Sequence, residues 1–164
     1  MNNLTSRSTA AGQGCRAAAA DRLRHFGVSV TRPRVAIMEY LMEHHVHPTV
    51  EQVYSALSPE YPSLSRTTVY NTMKMLAEHG AVTLLTIDDR NLNIDENTTP
   101  HAHLYCTRCH RIHDLPLQGV SPLQASYAFT LDGHLIQQVH QYYKGVCREC
   151  QTDLNKEPLL TNKQ

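Results

Sequence analysis

The apolar positions in the first 80 residues recur with the spacing of amphipathic helices. The pattern predicts four helices, at residues 17–26, 32–45, 50–57 and 66–79. Gly27 is expected to stop the first helix, and Thr31 and Ser65 are expected to cap the second and fourth. Pro33 fits the first turn of the second helix, where its missing N–H costs nothing. The N-terminal half is therefore predicted to be helical.

After Gly80 the pattern changes to the alternation of strands. It predicts strands at residues 81–88, 91–95, 103–106 and 111–115, a helix at 121–131 ending at Asp132-Gly133, and a β-rich segment at 135–146. The first two strands form a hairpin of the kind called a wing when it follows a helix-turn-helix. The predicted fold is α+β. A winged-helix DNA-binding domain spans residues 1–97, and a small α/β dimerisation domain with a structural zinc site spans residues 98–164.

Composition narrows the class of protein. The chain has 164 residues, 41% of them hydrophobic and 18% charged, which is typical of a folded globular protein. No apolar run approaches the roughly 18 residues that span a bilayer, and the N-terminus lacks the apolar core of a signal peptide. We therefore expect a cytoplasmic protein without a membrane partner. The net charge is zero, but six arginines and a single acid fall within residues 1–34, an asymmetry that suits a DNA-facing surface.

Four of the five cysteines form two CxxC pairs, Cys106 with Cys109 and Cys147 with Cys150. Cytoplasmic thiols stay reduced, so paired CxxC motifs indicate a metal site rather than disulfides. Four thiolates favour tetrahedral Zn²⁺. Because a full thiolate shell leaves no open coordination position, the site is predicted to be structural and not catalytic.

The predicted helix at 66–79 has a polar outer face and an apolar inner face, as a helix that reads the major groove requires. The residues predicted to contact DNA are Arg66, Thr67, Tyr70, Asn71 and Lys74. An ordinary amphipathic surface helix has the same periodicity, so the pattern alone does not decide between the two.

A second cluster of metal-ligand residue types lies beside the first CxxC pair. His101 and His103 are two residues apart, so on a strand both side chains point to the same face. Asp95 precedes them, Asp114 follows them, and His47 lies before the third helix. Three imidazoles and two carboxylates form a mixed set of nitrogen and oxygen ligands suited to Fe²⁺, Mn²⁺ or Zn²⁺. We interpret this set as a sensory metal site.

Four segments resemble the ferric uptake regulator family, in consistent order over residues 20–150. HPTVEQVY at 47–54 and SRTTVYNTM at 65–73 are similar to its DNA-binding half, and HxHxxCxxC at 101–109 and CxxC at 147–150 are similar to its dimerisation half. The resemblance implies a homodimeric, metal-dependent transcriptional regulator, usually a repressor, that binds promoter DNA. It also implies that the three histidines and two aspartates named above form the regulatory metal site.

The resemblance carries further implications for single residues. It implies that Tyr70 and its neighbours touch DNA, whereas Arg66 replaces a small or apolar residue. Asp95, an aspartate at the wing position, resembles the peroxide-responsive subgroup, in which bound Fe²⁺ reacts with peroxide and a ligand histidine is oxidised. Asp114 fits the same pattern. Iron level is the second candidate for the signal that the protein senses. Haem is a third candidate, although no Cys-Pro pair supports it. Pro100 and Ala102 cannot ligate, so no second sensory site is expected.

Two other classes compete with a DNA-binding regulator. One is a metal-dependent hydrolase using His101, His103 and Asp95, and the other is a zinc-stapled interaction module that does not bind DNA. The hydrolase is disfavoured because the sequence has no nucleophile motif and no Gly-rich phosphate loop. The sequence therefore predicts a regulator and not an enzyme. It predicts Zn²⁺ at the structural site and Fe²⁺ or Mn²⁺ at the sensory site, which Zn²⁺ can also occupy in vitro.

Overall fold

The computed structural model of the chain describes residues 6–119 and 128–154, with side chains from residue 14 to residue 152 of these ranges. The chain divides into two compact units, Met1–Thr98 and Thr99–Gln164. Helices dominate the first unit and strands the second, which confirms the predicted α+β class. Among the described residues, none of the helices combines the length and the apolar character needed to cross a bilayer.

The first unit begins with four helices. They are α1 (Ser6–His25), α2 (Arg32–Glu43), α3 (Val50–Leu57) and α4 (Arg66–Glu78). Helix α1 begins well before its predicted start at residue 17, and α2 ends two residues before its predicted end. The start of α3 is fixed by a capping box, in which the Thr49 side chain accepts from the backbone of Gln52 and the Gln52 side chain accepts from the backbone of Thr49. Ser65 caps α4 by accepting from the Thr68 N–H. Thr31 precedes α2 in extended conformation without a side-chain cap bond, so its predicted capping bond is absent.

The helices of the first unit pack around one apolar core. Its fully buried side chains come from all four helices and include Leu23, Ile37, Met38, Leu41, Val53, Val69, Met73 and Leu76. Helix α4 therefore turns the face containing Val69, Met73 and Leu76 inward and presents the opposite face to solvent.

A short antiparallel hairpin, the wing, follows the helices. It consists of β1 (Thr83–Leu85) and β2 (Asn93–Asp95), with Leu84 opposite Ile94. Both strands are shorter than predicted, because the residues next to the turn belong to the connecting loop. In that loop the Asp88 carboxylate accepts from the backbone of Arg90 and from the side chain of Asn91. Ile94 packs into the helical core, so the wing is anchored to the helices.

The second unit is built on a three-stranded sheet. Its central strand β3 (Ala102–Cys106) pairs antiparallel with β4 (Ile112–Leu115) and parallel with β7 (Tyr142–Gly145). Strands β5 (Phe129–Leu131) and β6 (His134–Ile136) form a separate hairpin, and helix α5 (Arg148–Leu154) follows β7.

The predicted helix at 121–131 is wrong at its C-terminal end. Phe129–Leu131 is strand β5, and Asp132-Gly133 is the two-residue turn of a hairpin rather than a helix stop. Both turn residues have positive φ, 48° and 78°, which is the conformation that Asp-Gly favours between paired strands. The rest of that predicted helix, residues 121–127, lies outside the described residues.

Candidate metal centres and nucleic-acid interface

The four paired cysteines converge at one end of the central sheet. Cys106 ends β3, Cys147 follows β7, and the parallel pairing places Cys106 opposite Gly145. Cys109 lies in the turn after β3, and Cys150 lies in α5. Their four sulfurs all lie within 4.8 Å of one another. The pairing of β3 with β7 thus brings together two motifs that are far apart in the chain.

The sulfur geometry fits tetrahedral zinc. Zn–S bonds of about 2.3 Å place two sulfurs of a tetrahedron about 3.8 Å apart. The Cys109 and Cys147 sulfurs are 3.8 Å apart, and all of these thiols are free of disulfide bonds. This spacing is far longer than the roughly 2.05 Å of a disulfide. The cluster therefore suits a closed structural zinc site.

Hydrogen bonds prepare two of the sulfurs to be thiolates. Burial raises the pKa of Cys106, but backbone N–H groups including those of Cys109 and Cys147, at 3.5 and 3.3 Å, outweigh burial and lower it overall. The Arg111 side chain, 3.5 Å from the Cys109 sulfur, lowers the pKa of that thiol. The pKa of Cys150 is raised by burial. Four adjacent thiolates repel one another, so full deprotonation requires a bound cation.

In the second unit, His101, His103 and Asp114 form one donor set. His101 lies directly before β3 and His103 lies in it, with the centres of the two imidazole rings 4.4 Å apart, and Asp114 of β4 lies opposite His103 in the sheet register. Asp114 Oδ1 is 3.4 Å from His101 Nε2 and 3.7 Å from His103 Nε2. These three predicted ligands therefore come together through the antiparallel pairing of β3 with β4.

The orientation of the His101 ring is fixed by the backbone. Its Nδ1 lies 2.7 Å from the Thr99 carbonyl oxygen. A carbonyl only accepts, so Nδ1 carries the hydrogen and the neutral ring keeps a lone pair on Nε2. That lone pair and the Asp114 carboxylate repel each other unless a proton or a metal cation lies between them. The tautomer suits a metal ligand.

The first unit holds the other two predicted ligands. His47 and Asp95 are both buried, with Nε2 and Oδ1 3.9 Å apart. Asn93 donates from Nδ2 to the His47 carbonyl at 2.7 Å, and the Ile94 N–H donates to the Pro48 carbonyl at 3.0 Å. His47 itself has a positive φ of 50°, an uncommon conformation for a residue with a side chain. Wing strand β2 thus fixes the segment that carries His47.

The five residues predicted to face DNA are all exposed on α4. Tyr70 is 46% exposed, which is high for an aromatic side chain. Arg66, however, already has partners within the protein: its guanidinium donates to Glu51 of α3 and lies over the ring of Tyr54. Sequence reasoning missed Glu51 and Asn93, because their partners lie 15 and 46 residues away and helical or strand periodicity does not report such pairs.

Comparison with known proteins identifies the family. Residues 25–140 match the model of the ferric uptake regulator family. The chain belongs to the ferric uptake regulator family. The peroxide-responsive repressor PerR of Staphylococcus aureus (strain USA300) is 36% identical over 129 residues, covering 79% of this chain and 86% of that protein.

Solved structures of the ferric uptake regulator family share the fold. The ferric uptake regulator from Francisella tularensis with iron aligns with a TM-score of 0.60 at 23% identity, covering 77% of this chain and 96% of that one. Fur from Helicobacter pylori aligns with a TM-score of 0.58 at 16% identity, covering 92% and 97%. Members of this family are transcription regulators and not enzymes, so membership indicates a metal-dependent transcriptional regulator.

Proposed function

We propose that this member of the ferric uptake regulator family represses transcription by binding promoter DNA as a homodimer when a sensory divalent metal is bound. The observation that carries the proposal is the presence of two incomplete donor sets. The first unit contributes His47 and Asp95, and the second contributes His101, His103 and Asp114. Both sets are distinct from the four cysteines, which suit a structural metal.

The two donor sets complement each other chemically. One imidazole and one carboxylate are too few protein ligands for a stable site. Two imidazoles with one carboxylate can hold Fe²⁺ but leave coordination positions open, and an imidazole and a carboxylate from the other set would fill two of them. Only five residues separate Asp95 from His101. We infer that the five side chains together hold one Fe²⁺ or Mn²⁺, and that Zn²⁺ occupies the same site in vitro.

The local structure links this site to the DNA-facing helix. His47 is held by Asn93 of the wing and lies two residues before Thr49, the cap of α3. Helix α3 packs against α4, since Val53 and Val69 share one buried core. When His47 and Asp95 share a metal with the ligands of the second unit, the first unit loses orientational freedom. The DNA-binding arrangement is then favoured by its higher metal affinity.

In the DNA-binding arrangement, α4 enters the major groove with its exposed N-terminal half. Thr67 and Asn71 offer hydrogen bonds to base edges, Tyr70 offers a hydroxyl and a ring face, and Lys74 offers a charge to phosphate. Two copies related by a two-fold axis place two such helices on successive half-sites. We place the protein in the cytoplasm; the proposal is supported by the paired CxxC motifs, which suit a metal rather than disulfides in a compartment that keeps thiols reduced.

We further propose that peroxide is the input, with iron level as the alternative. The proposal is supported by the PerR relative and by the aspartates at positions 95 and 114. Ferrous iron, when bound, supplies the electron that reduces peroxide beside the ligand histidines. Anaerobically purified, Fe²⁺-loaded protein is treated with dilute peroxide and digested for mass spectrometry. A gain of one oxygen on His47, His101 or His103 supports peroxide sensing, and unmodified histidines with iron-dependent DNA binding support iron sensing.

The DNA-binding proposal is tested separately with Mn²⁺, which avoids oxidation during the assay. We expect His101→Ala to abolish the Mn²⁺-dependent gel shift of promoter DNA while the protein keeps its zinc. The matched control is His134→Ala, which removes an exposed histidine from β6 of the same unit. Equal Mn²⁺-dependent shifts for His101→Ala and the wild type would contradict the assignment of His101 as a sensory ligand.

A further inference from the structure

The N-terminus of α4 is linked to α3 by a charged cluster on the protein surface. Arg66 donates from Nε to Glu51 Oε2 at 2.5 Å and from Nη2 to Glu51 Oε1 at 2.8 Å. The guanidinium carbon lies 4.2 Å from the centre of the Tyr54 ring. Ser55 donates from its hydroxyl to Glu51 Oε1 at 3.4 Å. The three α3 residues lie three and four positions apart, on one face of that helix.

This cluster contributes little to folding. The Arg66 and Glu51 side chains are 60% and 57% exposed, and water screens ion pairs of that kind. The arrangement does control the chemistry that Arg66 offers. A guanidinium binds phosphate or guanine most strongly through two parallel N–H groups. Glu51 occupies the Nε–Nη2 edge of Arg66 in this way, so that edge is not available to DNA while the pair persists.

The position of the pair gives it a role in DNA binding. Arg66 is the first residue of α4, the helix whose exposed face we assign to the major groove. Glu51 lies in the first turn of α3, so its carboxylate stands beside the same helix end. Two opposed effects therefore act there: Arg66 attracts phosphate, and Glu51 both repels phosphate and competes for the guanidinium.

We propose that Glu51 is a specificity-determining residue, which restrains Arg66 and thereby lowers the affinity for non-operator DNA more than the affinity for the operator. Non-specific binding consists almost entirely of phosphate contacts, and a protein that slides along DNA lets a released arginine find a phosphate at every position. At the operator, base contacts fix the position of α4 and limit the reach of Arg66. The inference rests on the proposed function, because it requires that α4 binds DNA.

The test compares Glu51→Gln with the wild type as Mn²⁺-loaded full-length protein. The probes are an operator selected in vitro from a randomised duplex of about 30 base pairs, long enough for two half-sites one turn apart, and a shuffled duplex of the same composition. Affinities are measured over a series of salt concentrations. Glu78→Gln is the matched control, because it makes the same change of charge at an exposed position near the other end of α4.

We expect Glu51→Gln to bind the shuffled duplex about two- to fivefold more tightly per protomer, the range of an exposed ion pair. The slope of log affinity against log salt should steepen by about 0.9 per protomer, the value of one added phosphate contact. The ratio of operator to shuffled affinity should fall. In an Arg66→Ala background, the same Glu51→Gln change should leave the salt slope unchanged, because no guanidinium is present to be released.

Three results would overturn the inference. The first is an unchanged slope and ratio in Glu51→Gln, and the second is an equal change in Glu78→Gln, which would indicate net charge alone. The third is an equal effect of Glu51→Gln in the Arg66→Ala background, which would indicate direct repulsion by Glu51. If the wild type shows no Mn²⁺-dependent binding to any selected duplex, the proposed function fails and the inference fails with it. If the wild type binds and only the variant comparison fails, the proposed function stands.

Discussion

Replacement of Cys147 by serine should unfold the second unit without unfolding the first. Cys147 is buried, its sulfur lies 3.8 Å from that of Cys109, and its N–H donates to the Cys106 sulfur. The substitution therefore removes one zinc ligand at the point where β7 is held beside β3. A hydroxyl at that position is a poor substitute, because it does not ionise near neutral pH and metal ligands of this type must be deprotonated.

The magnitude follows from what zinc contributes and from what else holds the unit together. Structural zinc contributes about 10–16 kcal/mol to the folding of small domains, as much as the roughly 5–15 kcal/mol that stabilises a whole domain. Among the described residues of the second unit, the buried apolar side chains besides cysteine are Ala102, Tyr105 and Ile112. Each large one contributes only about 1.5–3 kcal/mol. Weakening the zinc site should therefore remove most of the stability of this unit.

Two measurements check this prediction. Zinc per chain is measured with a colorimetric chelator after denaturation, and hydrogen exchange is followed by mass spectrometry over β3 and over α4. We expect Cys147→Ser to lose zinc and to exchange rapidly in β3 while α4 stays protected. Cys15→Ser, a control in α1, should match the wild type in both measurements. Full zinc content with a protected β3 in Cys147→Ser would refute the reasoning, and so would a parallel loss of protection in α4.

Four further substitutions test other parts of the structure. Asn93→Ala leaves the buried carbonyl of His47 without its 2.7 Å donor and should lower the free energy of unfolding in urea by about 1–3 kcal/mol. It should also weaken Mn²⁺ binding measured by calorimetry, and unchanged values of both quantities would contradict the positioning role of Asn93. Thr49→Ala removes the α3 capping box and should cost about 0.5–2 kcal/mol in the same assay. Met73→Ala opens a cavity in the core of the first unit and should cost about 2–5 kcal/mol, with zinc content unchanged; a loss below about 1 kcal/mol is inconsistent with full burial. His103→Ala should lose the sensory metal but keep one zinc per chain in elemental analysis, and a loss of zinc as well would show that the two metal sites are not independent.

Helices α3 and α4 were the most predictable part of the fold, because their signals are local. Helix α3 has the predicted bounds, and α4 differs from its prediction by one residue at its end. Apolar spacing and an N-cap serine suffice to define α4 and to separate its buried face from its exposed face. The β5–β6 hairpin was missed because Asp132-Gly133 was interpreted as a helix stop, although the same dipeptide also favours a tight hairpin turn.

The candidate sites were predictable in residue type but not in geometry. The spacing of the CxxC pairs indicates zinc, yet the approach of Cys147 to Cys109 depends on the parallel pairing of β3 with β7, which no local pattern encodes. Likewise, the bidentate contact of Arg66 with Glu51 exists only because α3 packs beside α4. Contacts of this kind depend on tertiary packing, so the sequence predicted an exposed arginine and not its restraint.

The central claim is that a sensory metal, distinct from the structural zinc, controls DNA binding. It is tested most directly by fluorescence anisotropy of a labelled operator duplex, titrated with zinc-containing protein in the presence and absence of Mn²⁺, with zinc measured in the same samples. We predict that removing Mn²⁺ weakens operator binding by about 5- to 150-fold, the usual range of coupling between two sites, while zinc stays at one per chain. Equal operator affinity with and without Mn²⁺ at full zinc content would contradict the claim.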